Sequence, residues 1–252
     1  MIDQPTLLVL MAAFAAVAFL YGSVGLGGGS AYTAILALAG VPYVLVPTVS
    51  LALNLVVTFV GMINFHRGGH LSPRLVAPFL VTSMPAAWLG GSLHLPRGVF
   101  LWLLASTLTL VLVRIYLVGE LRLRLRLAGP LRLVFPPVLG AVLGFVAGTV
   151  GIGGGVYLVP LLIMFGLADE KRAAAAGAVF IWFNSAAGLA ARWPRGHADP
   201  ASVLPLVVAV ACGGWLGSSL GSLRCAPRTI QRTLGLVVAV AVVFIARRLP
   251  LP

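Results

Sequence analysis

Main-chain amides are the groups in this chain best placed to do chemistry. Two stretches, GSVGLGGGS at 22–30 and GTVGIGGGV at 148–156, set Gly25, Gly27, Gly28 and Gly29, then Gly151, Gly153, Gly154 and Gly155, among apolar residues. Glycine costs about 1 kcal/mol against alanine inside a helix, so each cluster predicts a break. A helix that restarts after a break leaves N–H groups free in its first turn and carries about half a positive charge there. Such an end binds an anion without a lysine or arginine. Ser30 and Thr33 occupy the first turn after the first cluster, and Thr149 precedes the second. Asn54, Asn184 and Ser185 lie inside apolar segments, with Thr48, Ser50 and Thr58 in the same neighbourhood. The eight glycines, Ser30, Thr33, Asn54, Asn184 and Ser185 form the candidate substrate-binding set.

Other chemistries fail on spacing. A dinucleotide loop needs glycine where Ser30 and Val156 stand, and no Gly-Lys-Ser/Thr follows either cluster. The acids Asp3, Glu120, Asp169, Glu170 and Asp199 fall outside the apolar segments, so none supplies the buried carboxylate usual in proton-coupled carriers. An intramembrane serine protease needs a histidine base at membrane depth, whereas His66, His70 and His197 sit at segment ends. Cys212 and Cys225 show no metal-ligand spacing, and no cofactor is expected. Cys212, Trp88 and Trp215 read as packing residues, and Arg67 and Arg192 as lipid anchors. The competing account of the glycines is close helix packing, because Gly25-x-x-x-Gly29 and Gly151-x-x-x-Gly155 fit the small-xxx-small pattern. Three glycines in a row exceed what packing needs.

Positioning these groups requires elements built against lipid. Of 252 residues, 60% are hydrophobic and 9% charged, against about 25% charged in a soluble domain; mean hydropathy is +1.09. Apolar segments at 6–22, 46–65, 74–93, 98–118, 131–148, 172–191, 201–221 and 229–247 are long enough to cross about 30 Å of hydrocarbon. The fold class expected is therefore an all-α polytopic membrane protein. Two short pieces, 29–40 and 155–166, follow the glycine clusters and suit half-helices or re-entrant elements. The first run is read as a retained helix, since Asp3 is the only charge before it. The net charge of +12 is nearly all arginine. It points to anionic lipid at helix ends rather than to nucleic acid.

The chain repeats. Residues 22–29 map onto 148–155 at an offset of 126. At 127, Gly61 pairs with Gly188, His70 with His197, Pro73 with Pro200, Trp88 with Trp215 and Arg97 with Arg224. We divide the chain into a first transmembrane repeat (1–118), a basic linker (119–130) and a second repeat (131–252). Each half has about four transmembrane helices and opens with a glycine-broken helix and a short half-helix. With eight crossings the halves are parallel and both termini share the linker's cytoplasmic side. That side then holds Arg67, Arg74, Arg114, Arg122, Arg124, Arg126, Arg132, Arg192, Arg195, Arg247 and Arg248, against Arg97, Lys171, Arg172, Arg224, Arg228 and Arg232. If the short pieces also cross, the halves are inverted and the imbalance grows slightly. Charge alone leaves both open.

VGLGGGSAYTAIL and VGIGGGVYLVPLL, each opening one half, resemble the sulfite exporter TauE/SafE family, also called the toluene-sulfonate uptake permease family. The likeness covers essentially the whole chain. The second copy keeps the family's proline at Pro160; the first has Ala34 there. The resemblance implies movement of sulfite, sulfonates and related small anions across the bacterial cytoplasmic membrane. Export fits best, because an inside-negative potential contributes about 2.3 kcal/mol per charge per 100 mV. A small anionic substrate and anionic lipids are the expected partners, with a homodimer left open. The alternative is a membrane scaffold or accessory subunit that uses its glycines only for packing.

Overall fold

Proline, glycine and charge mark where the helices begin and end. A computed structural model describes residues 4–113, 115–116, 131–192, 200–223, 235, 238–240 and 242–247. Its helices are α1 (Gln4–Gly22), α2 (Gly29–Leu38), α3 (Leu45–Arg67), α4 (Pro73–Ser92), α5 (Arg97–Val113), α6 (Leu131–Val150), α7 (Gly155–Met164), α8 (Glu170–Arg192) and α9 (Pro200–Leu223). Pro73 and Pro200 open α4 and α9, where a missing N–H costs nothing. Gly40, Gly69 and Gly166 turn left-handed just after α2, α3 and α7 and end them. There is no strand among the described residues. The linker 119–130, His197, Cys225 and about half of the segment 229–247 lie outside them; 238–240 and 242–246 are helical.

α3, α4, α8 and the apolar stretches of α6 and α9 are long enough to cross a bilayer, so the chain is a multi-pass membrane protein. Their outer surface is apolar, as lipid requires, with Phe59, Val81, Val142 and Leu216 exposed. Trp88 and Trp215 belong to this outer surface, about half exposed at 51% and 58%, rather than to the packing between helices. The reason is local. Gly90 and Gly217 turn inward against main-chain carbonyls of Phe145 and Phe19, so the tryptophans two residues earlier face away. Cys212 is exposed on α9 and does not pack inside either.

Glycine lets the helices approach backbone to backbone. On α6, Gly140, Gly144 and Gly148 meet the carbonyls of Phe79, Ser83 and Ala87 on α4. On α9, Gly213 and Gly217 meet those of Ala15 and Phe19 on α1. Both registers rise together, so α4 runs parallel to α6 and α1 parallel to α9. α3 also follows α9, with Val57 at Gly214 and Asn64 at Ser218. Against α8 it runs the opposite way, since Leu51 meets Gly188 while Gly61 meets Ala178. Only residues 68–72 separate α3 from α4, which finishes, at Gly91, beside Gly188; Gly188 faces Leu51 near the start of α3, so α4 runs back along α3. Hence α1, α3 and α9 point one way and α4, α6 and α8 the other. The arrangement with both halves parallel is excluded: α1 and α6, which stand at the same place in the two halves, are antiparallel.

Candidate functional site

Both predicted breaks are present. Residues 23–28 separate α1 from α2, and 151–154 separate α6 from α7. Gly25, Gly28, Gly151, Gly153 and Gly154 have φ between 72° and 87°, a backbone that only glycine adopts easily. After each break the chain folds back. Tyr32 on α2 stacks edge-on to Phe14 of α1 at 5.2 Å, and Gly154 lies beside Leu143 and Ala147 of α6. Residues 25–34 and 147–156 are all buried.

The two breaks cross beside the middle of α3 and α8. Gly25 packs on Ala174 near the start of α8, and Gly151 on Pro47 near the start of α3. Between these points Gly29 touches the carbonyl of Ile152. Asn54 reaches Gly27, Gly29 and Gly153; Ile181, on the facing helix, reaches Gly27, Gly153 and Gly155. Ser50 ties the breaks together, donating to Gly151 O at 2.8 Å and to Gly29 O at 3.3 Å. Asn54 Nδ2 adds a long contact to Gly151 O at 3.5 Å.

The donors at this crossing are main-chain. Gly25 and Leu26 N–H close turns onto Gly22 and Tyr21, and Gly151 N–H bonds Ala147 O. The N–H groups of residues 27–31 and of 152–156 have no acceptor among the described residues; hydrogen bonding resumes at Tyr32 and Tyr157. The N-caps, Gly28 and Gly154, bring no side-chain acceptor. A buried donor left bare costs about 1–3 kcal/mol, so two rows of them form a strong demand for a bound acceptor. The two short helices begin here, and their positive ends add to it.

The TauE pattern, described as sulfite exporter TauE/SafE, matches residues 9–245. A protein of Sinorhizobium fredii (strain NBRC 101917 / NGR234), described as probable membrane transporter protein y4hK, is 35% identical over 218 residues, covering 84% of this chain and 87% of its own. The chain belongs to the sulfite exporter TauE/SafE family. No solved structure matches it.

Within this membrane transporter the other expected site residues fall at different places. Ser30 and Thr33 are buried, but Ser30 Oγ pairs with Tyr21 OH at 3.1 Å, and Thr33 bonds back to Gly29 O and Ser30 O. Asn184 is buried one turn beyond Phe180 and bonds its carbonyl at 2.8 Å. The Asn184 Oδ1 and Ser185 Oγ atoms are buried without partners among the described residues. Among the described residues no hydrogen bond joins either side chain to the glycines of the breaks.

Two residues have more prominent places than their sequence suggests. Ser50 bridges both breaks, through bonds between residues 21 and 101 positions apart, which no local pattern reveals. Arg192 is buried rather than at lipid headgroups, and donates to Gly148 O and Thr149 O at 2.9 and 2.8 Å. It thereby caps the negative end of α6 immediately before the break. The sequence signal was the small-residue run leading to it, which lets α8 close on α6. Apart from the crossing, a cavity of about 230 Å³ lies past the far end of α2, among Val41, Tyr43, Arg97, Phe100 and Ile245.

Proposed function

We propose that the protein exports small sulfur-containing anions, such as sulfite or sulfonates, across the bacterial cytoplasmic membrane. The anion is held by main-chain amides where the two breaks cross. One observation carries this reading: two rows of buried N–H groups without acceptors lie at the midpoint of two spanning helices. Unwound backbone at membrane depth is tolerated only where it is buried in protein or lines a cavity. Paired broken helices at matching places of two halves mark the binding site in many carriers. Helices 126 or 127 residues apart run in opposite directions, which supports reading the halves as inverted repeats. The linker then shares its side with Arg67, Arg74, Lys171 and Arg172, and this basic face is cytoplasmic by the positive-inside rule.

The scaffold reading draws on the glycine contacts between α4 and α6 and between α1 and α9. It gives the bare N–H groups no acceptor. Flux from proteoliposomes at clamped voltage, with sulfite, sulfoacetate, thiosulfate and sulfate, separates the two. The export reading expects at least one anion to move, faster as the compartment holding it is made negative. No voltage-dependent flux of any of them refutes it.

A further inference from the structure

Asn54 is fully buried where the breaks cross. With Nδ2 toward Gly151 O, its Oδ1 is turned to Gly27 and has no donor among the described residues. Of the neighbouring hydroxyls, Ser50 is committed to Gly151 O and Gly29 O, and Thr58 to Asn54's own main-chain oxygen at 2.6 Å, while that of Tyr32, beside Gly28, has no partner among the described residues. Ile181, at the matching place on α8, offers nothing polar. The crossing thus presents rows of main-chain donors, the bare Tyr32 hydroxyl, which can donate or accept, and Asn54 Oδ1, which can only accept.

A fully ionised oxyanion has only lone pairs to present. It satisfies the N–H groups but faces Oδ1 with like charge and leaves it unpaired. An oxyanion that keeps one proton satisfies both. It also carries a smaller charge into the membrane, and the cost of burying charge rises with its square. We propose, building on the anion reading above, that the solute bound at the crossing is a singly protonated oxyanion whose O–H donates to Asn54 Oδ1. Sites built to bond a solute hydroxyl reject analogues lacking it, because the buried partner is left bare.

On α1, α2, α6, α8 and α9, which pack on α3, the buried titratable or charged side chains among the described residues are Tyr21, Tyr32 and Arg192. No histidine or carboxylate is among them, so a change near neutral pH belongs to the solute. The test is sulfite flux by the full chain in proteoliposomes, across the pKa of sulfite's second proton, with protein-free vesicles subtracted. KM in total sulfite is expected to rise about tenfold per pH unit above that pKa, and KM in the singly protonated form to stay constant. Asn54→Leu should flatten the dependence. A KM that stays constant in the fully ionised form overturns the proposal and leaves the anion reading standing, and an unchanged slope in Asn54→Leu overturns the role of Asn54. If the variant does not fold, the wild-type profile decides. Absence of flux for sulfite and every other anion overturns both readings.

Discussion

Gly154 and Gly166 bracket α7, and replacing each with alanine separates backbone strain from damage to the crossing. Both are left-handed, with φ of 75° and 62°. An L-residue there costs about 1–2 kcal/mol. Gly166 has open space where a Cβ would go, so Gly166→Ala should lose that amount and no more. At Gly154 a Cβ would lie 3.0 Å from Phe180 Cε1, 3.2 Å from Leu143 O and 3.5 Å from Ala147 Cβ. Crowding of this kind adds about 1–3 kcal/mol, giving about 2–5 kcal/mol in all. Relieving it moves the Phe180 ring or the first turn of α7 by a few tenths of an ångström, at the place where the bare N–H groups of residues 154–156 lie. Thermal unfolding of each purified variant in detergent should show Gly154→Ala the less stable. Anion flux per folded molecule should be near wild type for Gly166→Ala and at least tenfold lower for Gly154→Ala. Equal flux per folded molecule in both would refute the claim that this turn holds the solute.

Ser50→Ala removes the hydroxyl shared by Gly151 O and Gly29 O. It should lower stability by about 1–3 kcal/mol in denaturant unfolding and reduce flux beyond that loss. Arg192→Met leaves the last carbonyls of α6 without its charged donor and should cost about 1.5–3 kcal/mol. Arg192→Lys keeps a charged donor but should recover only part of it in the same measurement, since both bonds come from Nη2, at the tip of the longer arginine side chain. Single cysteines at Gly40 and Gly69, which have open space around them, should react with an impermeant maleimide from opposite sides of the membrane. Labelling of both from one side in intact cells contradicts the helix directions given above.

Much of the scaffold is legible in the sequence because its signals are local. A glycine cluster in an apolar run can hardly stay helical, and the ends of α3 and α8 fall within about two residues of the expected 46–65 and 172–191 because charge and proline flank them. Helix direction is not local. The basic-residue tally favours the two arrangements almost equally, and only the facing registers, Leu51 on Gly188 and Gly61 on Ala178 among them, decide it. Side-chain roles at the crossing are equally non-local. Ser30 and Thr33 sit where an anion-binding turn would place them, yet Tyr21 and the α2 backbone engage them. Ser50 outranks both because it reaches across to the other half. Trp88 and Trp215 misled by size: bulk suggests packing, but the inward face of each helix is reserved for glycine.

A site made of main-chain donors suits a carrier for a reason that follows from the geometry. A buried arginine or lysine would meet the anion's charge in full, and in a low-dielectric interior that attraction is hard to leave. Two helix ends of about half a charge each, reached from opposite directions, can match one negative charge while leaving no net charge behind when the solute departs. Because α2 and α7 lead away from the crossing in opposite directions, rocking one half against the other can open either side without dismantling the donors. The side chains break this equivalence. Asn54 and Ile181 stand at matching places on α3 and α8 yet differ in polarity, so under the proposed reading the backbone would set the sign of what binds, and the polar wall of α3 would decide which solutes of that sign fit.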